Sequence, residues 1–393
     1  MHILFICQTF PEPNNQRKGI FYRDQASALQ KAGHQVGVIA LGGLDSMDLS
    51  REGLRNWQKQ VIFTDSGFPV YRTLRVPLPL KRRDTRLRLW SITSPAVRTA
   101  NRYIAMHGVP DILHSQNFFY AGLAGIRIAR ENGLPHVLTE HSSLFLYNLR
   151  DDKLHLLQNQ LPKIHCTLAV STALADRIRS YVPRKEILVV GNVVNTEIFS
   201  PGKGEKLRYP FTFTIAARLD RNKSVGVALR AFHQAFAGKR NLRMVICGDG
   251  PEKENLVTLT YKLGVNKQVD FLSFLPREEL ITLYRRSHVL VSSSHSETFG
   301  LTLAEAMACG LPIIATRSGG PDDIVTDEVG LLVDTDSVES MSKAMQKMYQ
   351  HYNEYQPEKI RTYCVRNYSE QAFVKKLENI YKEEMNWALV KYG

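Results

Sequence analysis

The chain has 393 residues, of which 44% are hydrophobic. It is long enough for two domains with separate cores and too long for one ordinary core. No apolar run approaches the ~20 residues that a membrane-spanning helix requires. The opening residues 1–7 lack a basic leader and carry only a short apolar run, so we predict a first strand rather than a signal peptide. The five cysteines form neither a Cys-x-x-Cys pair nor an even framework, which favours a reducing, cytoplasmic compartment.

The positive charge of the chain is concentrated in its first half. Residues 1–200 carry 25 Lys and Arg against 15 Asp and Glu, whereas the remaining residues carry 26 against 23. A basic half indicates an anionic partner, and the absence of any RNA-binding or recognition-helix motif argues against nucleic acid. The basic run at residues 81–90 is compatible with an anionic membrane surface and equally with a solvated loop and helix start.

Short apolar runs alternate with helical patterns along the whole chain, which is typical of parallel sheets covered by helices. In the first half we predict strands at 2–7, 35–40, 111–114, 136–139, 165–170 and 187–190, and helices near 19–33, 91–107, 119–132 and 171–181. In the second half we predict strands near 211–217, 242–247, 268–273, 288–292 and 312–315, and one long amphipathic helix over 369–390. The chain is therefore predicted to be α/β, with two Rossmann-like domains at 1–192 and 210–368, a linker at 193–209 and a final helix within 369–393.

The most informative segment is SETFGLTLAEAMACGLP, at residues 296–312. Glu297 and Glu305 are eight residues apart, about two helical turns, so a loop carboxylate and a helix carboxylate can point to the same side. The amides that follow Glu297 would lie at a helix N-terminus, where unpaired N–H groups bind anions. Carboxylates accept hydrogen bonds from hydroxyls, so the segment predicts a pocket for a sugar nucleotide.

This arrangement resembles the Glu–seven residues–Glu signature of retaining glycosyltransferases of the GT-B fold, in particular family 4. The resemblance implies parallel sheets facing across a cleft, with the last helix crossing back to the N-terminal domain. It also implies that Glu305 binds the ribose hydroxyls and that Glu297 contacts the transferred sugar. The implied diphosphate contacts are the residues Phe299, Gly300, Leu301 and Thr302.

A second motif, ARLDRNK, follows the first strand of the second half. Open α/β sheets bind ligands beyond the carboxyl ends of their strands. At that place Arg218 could bind a diphosphate through two parallel hydrogen bonds, and Lys223 could bind it as a single positive charge. Two ordinary surface cations are the alternative interpretation of this pair alone. The pattern is similar to the family's Arg–four residues–Lys pair, which implies that both side chains neutralise the leaving nucleoside diphosphate.

Two further strand ends of the second half carry weaker signals. Gly248 and Gly250 form a turn in which the missing Cβ allows close approach of a ligand, and the turn resembles the family's glycine turn under the nucleotide. Ser273 ends another strand, whose backbone would border the nucleobase by the same resemblance. Because the backbone rather than side chains would recognise the base, the sequence does not distinguish uracil from guanine.

Two residues of the first half match the family. Gly19 precedes the first helix and would allow the acceptor and the donor phosphates to approach the helix N-terminus. Many members carry Gly-Gly there; this chain has Lys18-Gly19, so close backbone approach at the first position is in doubt. His141 follows a predicted strand at the place where the family has a histidine that faces the donor sugar. The resemblance implies that contact for His141 and does not assign it as a general base.

Together these features predict a retaining hexosyltransferase that moves a sugar from a nucleotide diphosphate sugar, a UDP-sugar being favoured over GDP-mannose. The acceptor is expected to be a glycan or a polyprenyl-diphosphate-linked oligosaccharide, in exopolysaccharide biosynthesis at the inner face of the cell membrane. No Asp-x-Asp pair occurs at a suitable place, since Asp322 and Asp323 start a helix, so we expect no metal and no cofactor. A GT-B sugar-nucleotide epimerase and a non-catalytic nucleotide-sugar-binding protein remain alternatives.

Overall fold

The computed structural model describes residues 1–11, 19–41, 61–73, 85–202 and 210–392. The chain forms two compact units. The first contains residues 1–170, 174–193 and 373–393, and the second contains residues 171–173 and 194–372. Lys18, residues 81–84 of the basic run and residues 203–209 of the predicted linker lie outside the described residues.

The strands and helices alternate in chain order. The strands are β1 (His2–Cys7), β2 (Gln35–Leu41), β3 (Val61–Asp65), β4 (Phe68–Thr73), β5 (Ile112–Gln116), β6 (His136–Glu140), β7 (Cys166–Ala169), β8 (Leu188–Val189), β9 (Phe211–Ala216), β10 (Leu242–Cys247), β11 (Val269–Leu272), β12 (Val289–Ser292), β13 (Ile313–Thr316) and β14 (Gly330–Val333). The helices are α1 (Ile20–Lys31), α2 (Thr85–His107), α3 (Leu123–Asn132), α4 (Asp151–Gln160), α5 (Thr172–Tyr181), α6 (Val225–Phe236), α7 (Lys253–Lys262), α8 (Arg277–Arg286), α9 (Leu301–Ala308), α10 (Gly320–Ile324), α11 (Val338–Gln350), α12 (Pro357–Tyr368) and α13 (Glu370–Tyr392).

The sheet of the first unit has the strand order β3-β4-β2-β1-β5-β6-β7-β8. Every neighbouring pair is parallel except β3 and β4, which form an antiparallel hairpin at the edge. The prediction of a purely parallel arrangement missed this hairpin. The reason is that Pro69 and Arg72 interrupt the apolar run of β4, and an edge strand tolerates both residue types.

Helices cover both faces of this sheet. On one face, α1 and α13 bury Tyr22, Leu29 and Tyr381 against β1 and β2. On the other face, α2 and α3 contribute Ala100 and Ile128 to a separate core. Because β1 is buried on both faces, its sequence is almost continuously apolar rather than alternating, which is why it was predicted correctly.

The last helix packs within the first unit. Residues of α13 from Phe373 onward belong to that unit, and Phe373, Leu377 and Tyr381 are buried in its core. The hydroxyl of Tyr381 lies 2.6 Å from Nδ1 of buried His114 on β5. The predicted return of the final helix to the N-terminal domain is therefore confirmed.

The sheet of the second unit has the order β11-β10-β9-β12-β13-β14, and all its neighbouring strands are parallel. Its core includes Phe213 on β9 stacked 5.5 Å from Phe236 on α6. The chain leaves β9 toward β10 on one side and later returns to place β12 on the other side. The carboxyl end of β9 is thus the point where strand order reverses, which is where open α/β sheets bind ligands.

Across the described ranges, no helix is both long and apolar enough to cross a membrane.

Candidate active site

A cavity of about 210 Å³ opens in the second unit at the carboxyl ends of β9 and β12. Its walls include the ends of both strands, at Ala216 and Ser292. The predicted site residues that line it are Arg218, Lys223, Glu297, Leu301 and Thr302. Residues that are far apart in sequence are therefore gathered at the reversal point of the sheet, where a ligand is expected.

Lys223 and Glu297 form an ion pair in this cavity. Nζ of Lys223 lies 2.5 Å from Oε2 of Glu297, and the two side chains are 24% and 19% exposed. Lys223 ends a short 3₁₀ turn that begins at Arg221, and the side chain of Asp220 caps this turn by accepting from the backbone N–H of Lys223. Glu297 is held by its backbone, whose N–H donates to the carbonyl of Ser318 at 2.8 Å. Both side chains are thus positioned by rigid local structure.

Arg218 is the exposed cation of the site. Its side chain is 75% exposed, and its Nε lies 3.6 Å from Oδ2 of Asp220. An exposed surface pair of this kind contributes little to stability. The guanidinium remains accessible for a bidentate contact with an anion such as a diphosphate.

Asn222 joins the two motifs and was missed by the sequence analysis. Its Nδ2 donates to the carbonyl of Ser296 at 2.9 Å, and its Oδ1 accepts from the hydroxyl of Ser296 at 2.8 Å. The hydroxyl of Ser293 also donates to the carbonyl of Lys223, at 2.9 Å. These bonds join the loop after β9 to the loop after β12. A single asparagine in a polar loop gives no sign in the sequence that it connects two loops.

The amino end of α9 borders the same cavity through Leu301 and Thr302. Gly300 precedes the helix with φ of +99°, a conformation that favours glycine, and its carbonyl accepts from the amide of Leu303 at 2.9 Å. The amides of the first helical residues have no acceptor within the helix. Phe299 instead packs inward, with its ring 5.5 Å from that of Tyr368, so its side chain serves the core.

Glu305 lies deeper than the rest of the motif. It is buried on α9 and does not belong to the residues that line the cavity, whereas Glu297 does. The two carboxylates therefore differ in environment, one partly exposed and paired with a lysine, the other enclosed in the helix layer.

The glycines after β10 are required by the packing of the protein itself. A Cβ on Gly248, whose φ is +147°, would lie 1.8 Å from the carbonyl oxygen of Ala217, and one on Gly250 would lie 2.3 Å from that of Leu219. Ser273 accepts a hydrogen bond from Nζ of Lys253 at 3.2 Å. None of these three lines the cavity, so their contact with a nucleotide stays a prediction.

Gly19 and His141 belong to the first unit. Gly19 precedes α1 with φ of +77°, and a Cβ there would lie 2.8 Å from the carbonyl oxygen of Thr9. His141 follows β6 and is buried, with Nε2 2.7 Å from Oε1 of Gln116. Burial lowers the pKa of His141 to about 3, so its imidazole is neutral near pH 7.

Glu140, next to His141, was also missed by the sequence analysis. Its buried carboxylate accepts from the backbone amides of Phe118, His141 and Ser142 at 2.8 to 3.0 Å. Burial raises the pKa of Glu140 to about 7, although the three amide donors oppose the shift. Such a group anchors the loop after β5 to the loop after β6, a contact that sequence spacing does not reveal.

Asp322 and Asp323 serve structural roles. Asp322 accepts from the backbone amide of Gly319 at 2.9 Å, and Asp323 accepts from that of Thr172 at 2.6 Å. Within the described residues, no three His, Cys, Asp or Glu side chains are grouped as metal ligands would be.

Comparison with known proteins identifies the family. Residues 19–198 match the family described as Glycosyltransferase Family 4, and residues 197–367 match the family described as Glycosyl transferases group 1. The chain is a family 4-type glycosyltransferase of the GT-B fold. The two matches are adjacent and together extend from the start of α1 into α12.

Relatives that match over about three quarters or more of their length agree with this assignment. The chain is 26% identical over 385 residues to a phosphatidylinositol N-acetylglucosaminyltransferase subunit of Arabidopsis thaliana, covering 95% of this chain and 79% of the relative. It is 28% identical to D-inositol 3-phosphate glycosyltransferase of Corynebacterium diphtheriae, covering 75% of each. The solved structure of Anabaena HepE in complex with UDP has a TM-score of 0.74 at 16% identity, covering 98% of this chain and 100% of that one, which shows the shared fold.

Proposed function

We propose that this glycosyltransferase uses a UDP-sugar, retains the anomeric configuration and needs no metal. The observation that carries the proposal is the cavity of the second unit, which combines two cations, one carboxylate and the amino end of α9 at the reversal point of the sheet. These groups match the parts of a sugar nucleotide: cations and amides for the diphosphate, a carboxylate for hydroxyls.

Departure of the nucleoside diphosphate is the step that these residues assist. Negative charge grows on the diphosphate as the glycosidic bond breaks and an oxocarbenium-like sugar develops. Arg218 and Lys223 neutralise that charge, and the amides of Leu301 and Thr302 add donors that are fixed in place before the reaction. Preorganised donors of this kind supply the charge stabilisation that a metal ion supplies in other transferases.

The carboxylates bind the neutral parts of the donor. Glu297 accepts hydrogen bonds from hydroxyls of the transferred sugar, and its bond to Lys223 orients its carboxylate. The family resemblance implies that Glu305 accepts from the ribose hydroxyls, a contact that would extend the site beyond the residues that line the cavity. His141, which is neutral, contacts the transferred sugar as the family resemblance implies. Retention follows from attack on the same face as the departing diphosphate, with a diphosphate oxygen taking the acceptor proton.

The choice of donor and acceptor rests on relatives and on charge. HepE has been solved with UDP and with UDP-glucose, which favours uridine. The names of both curated relatives describe transfer to phosphate-bearing inositols, and the first 200 residues of this chain are basic. We propose a phosphate-bearing acceptor, either a polyprenyl-diphosphate-linked glycan or an inositol phosphate, used at an anionic membrane surface.

A thermal-shift panel of UDP-, GDP- and ADP-sugars without metal tests the donor. A ligand at 100 times its dissociation constant stabilises the folded protein by about 2.7 kcal/mol, which raises Tm by a few degrees. We expect a shift with UDP-sugars that is weakened by Glu305→Gln, a change that keeps the volume of this buried side chain. No shift with any base in a well-folded sample would contradict the proposal and favour a non-catalytic protein.

A further inference from the structure

A groove of about 660 Å³ lies within the first unit, along α3. It reaches the amino end of β6 at His136 and the residue before β7, His165. None of the predicted site residues, all of which are described, lines it. Its volume falls in the range of ~300–1,000 Å³ that is typical of small-molecule sites and is about three times that of the cavity in the second unit.

Apolar side chains form one part of the lining. Leu123, Ile126 and Ala129 are spaced three residues apart on α3, so they lie on one side of that helix. Trp387 on α13 lines the same groove, and its ring stacks on that of His165 with 3.6 Å between the centroids and 7° between the planes. These side chains form an apolar strip along which a hydrocarbon chain can lie.

Cationic side chains form another part of the lining. Arg130 and Lys163 are both exposed. Nζ of Lys163 donates to Oε1 of Gln160 at 2.9 Å, a neutral partner that leaves the positive charge in place. Arg127 is already paired, since its Nε donates to Oε1 of Glu131 at 2.7 Å. Arg130 and Lys163 are therefore the cations that the groove offers to an anion.

The acidic group of the groove does not offset these cations. Among the described residues that line the groove, Glu384 is the only carboxylate. Its side chain is 3% exposed, and its Oε2 lies 2.6 Å from Nδ1 of His165. The accessible charge of the groove is therefore positive, and it adjoins an apolar strip. A phosphate group joined to a hydrocarbon chain has the complementary chemistry.

Exposed apolar side chains adjoin the groove along the chain. Trp90, which is 57% exposed, follows Leu89, a residue of the lining. Leu389 and Val390, which are 70% and 90% exposed, follow Trp387 on α13. Exposed apolar groups beside charged ones mark surfaces that meet a membrane or a partner, and tryptophan is enriched where a membrane meets water. The surroundings of the groove therefore favour a lipid.

We propose that this groove binds one anionic phospholipid, with an acyl chain along Ile126 and Trp387 and the phosphate against Arg130 and Lys163. The inference rests on the proposed anionic membrane surface for the source of the lipid, and on the first unit alone for the geometry. The lipid is an anchor rather than the acceptor. The reason is that the groove reaches the amino ends of β6 and β7, whereas open α/β sheets bind substrates at the carboxyl ends of their strands.

Fluorescence quenching tests the occupant. The probe is a short-chain phosphatidylglycerol that is brominated on its acyl chains and kept below its micelle concentration. Bromine quenches an indole that it contacts, and the signal of Trp387 is assigned from its loss in Trp387→Phe. We expect saturable quenching of Trp387, and weaker binding of a phosphatidylcholine with the same chains. Inorganic phosphate at the same concentration should not displace the lipid, because it has no acyl chain.

A double variant tests the contribution of charge. Arg130→Gln combined with Lys163→Gln should weaken binding of the phosphatidylglycerol by about tenfold or more, the combined effect expected of two basic residues near an anionic lipid. Arg240→Gln combined with Lys267→Gln is the matched control. It removes two exposed charges from the second unit and should leave the binding unchanged.

A single variant tests the apolar strip. Ile126→Gln places an amide where the acyl chain would lie and should weaken binding of both lipids by about tenfold. Ile126 is partly exposed, so the fold should tolerate the change, and thermal unfolding of the variant checks this. Leu280→Gln, at a partly exposed residue of α8 in the second unit, is the control and should bind both lipids as the wild type does.

Three results would overturn the proposal: no quenching of Trp387 by the phosphatidylglycerol, equal quenching in Ile126→Gln, or displacement of the lipid by inorganic phosphate alone. A dimer in sedimentation velocity that Ile126→Gln dissociates would also overturn it, since the groove would then bind a second copy of the chain. Failure of the proposed membrane surface is recognised separately. The wild type would then not bind anionic vesicles, although the monomeric lipid still quenches Trp387.

Discussion

Lys223 and Glu297 are 74 residues apart in sequence, yet Nζ of one lies 2.5 Å from Oε2 of the other. The bond joins the Arg–four residues–Lys motif to the Glu–seven residues–Glu motif inside one cavity. Because the carboxylate holds the ammonium in place, the lysine is oriented before any donor binds. The pair therefore links the residue proposed to bind the sugar, Glu297, to the residue proposed to stabilise the departing charge, Lys223.

Lys223→Met should lower kcat by about 100-fold or more, the usual effect of removing one preorganised donor at a developing anion. The fold should survive, since the side chain is at the surface of a cavity and its aliphatic part is kept. Lys343→Met is the matched control: Lys343 pairs with Glu339 at 2.6 Å on the exposed face of α11, away from the cavity. Initial rates with saturating donor, beside thermal unfolding, check both variants, and an unchanged rate for Lys223→Met would remove the diphosphate assignment.

Gly248→Ala should destabilise the second unit by about 3 kcal/mol or more, because the new Cβ would overlap the backbone of Ala217 at a φ of +147°. Gly264→Ala is a control in which φ is +69° but nothing lies within 4 Å of the new Cβ. That change should cost only about 1 kcal/mol, the strain of a left-handed residue. Urea unfolding of both variants measures the difference, and equal losses would show that the close approach to Ala217 is unimportant.

Buried His136 should make the protein less stable in acid. Burial lowers its pKa to about 3, whereas the unfolded histidine binds a proton below its ordinary value of 6.5. Between these values the unfolded state binds more protons, so the free energy of unfolding falls as pH falls, by up to about 1.4 kcal/mol per pH unit for this group. The stabilising effect of a neutral His136 is complete above pH 6.5 and is lost toward pH 3.

His136→Gln removes that dependence while keeping a side chain able to bond to Ser115, which His136 contacts at 2.8 Å. The difference in unfolding free energy between wild type and variant should shift in favour of the variant by about 1.4 kcal/mol per unit from pH 6 to pH 5. Glu140, whose pKa is raised to about 7, contributes the opposite slope in both proteins and cancels in the difference. His155→Gln on exposed α4 should give a much smaller shift, and parallel pH profiles for wild type and His136→Gln would contradict the prediction.

Binding of the protein to vesicles should increase with their content of anionic lipid, because basic residues are attracted to a negative surface. It should decrease with added salt, because salt screens that attraction. Trp90 on α2, 57% exposed and at the end of the basic run, is the expected apolar anchor. Trp90→Ser should lower the bound fraction, whereas Tyr261→Ser, at a similarly exposed aromatic residue of the second unit, should not. Co-sedimentation that is insensitive to anionic lipid would argue against a membrane role.

The sequence was sufficient for most of the fold. A strand buried on both faces, such as β1, is a continuous apolar run, and the spacing of such runs by helical segments predicts two parallel sheets. The edge hairpin β3–β4 and the terminal strand β14 were missed. Pro69 and Arg72 interrupt the apolar run of β4, and β14 has only four residues, so neither strand gives a long apolar run.

The site was predictable to the extent that its residues lie in compact motifs. Arg218, Lys223, Glu297, Leu301 and Thr302 were singled out from motifs that resemble those of the family, and they line one cavity. Asn222 and Glu140 were not, because they act through backbone groups of distant loops. Gly248 and Gly250 were predicted from the need for a ligand to approach the backbone. In the structure, a Cβ at either position would also overlap the backbone of Ala217 or Leu219.

The sequence alone determined the order of the central strands, since hydrophobic period is a local property of the chain, and its motifs carried the resemblance to the family. Only the tertiary structure decided that Glu297 pairs with Lys223 while Glu305 is enclosed on α9, and that Gln116 faces His141. Ion pairs and buried hydrogen bonds join atoms over tens of residues of separation, and their energies depend on distances of a few ångströms. Such distances exist only once the sheets have formed.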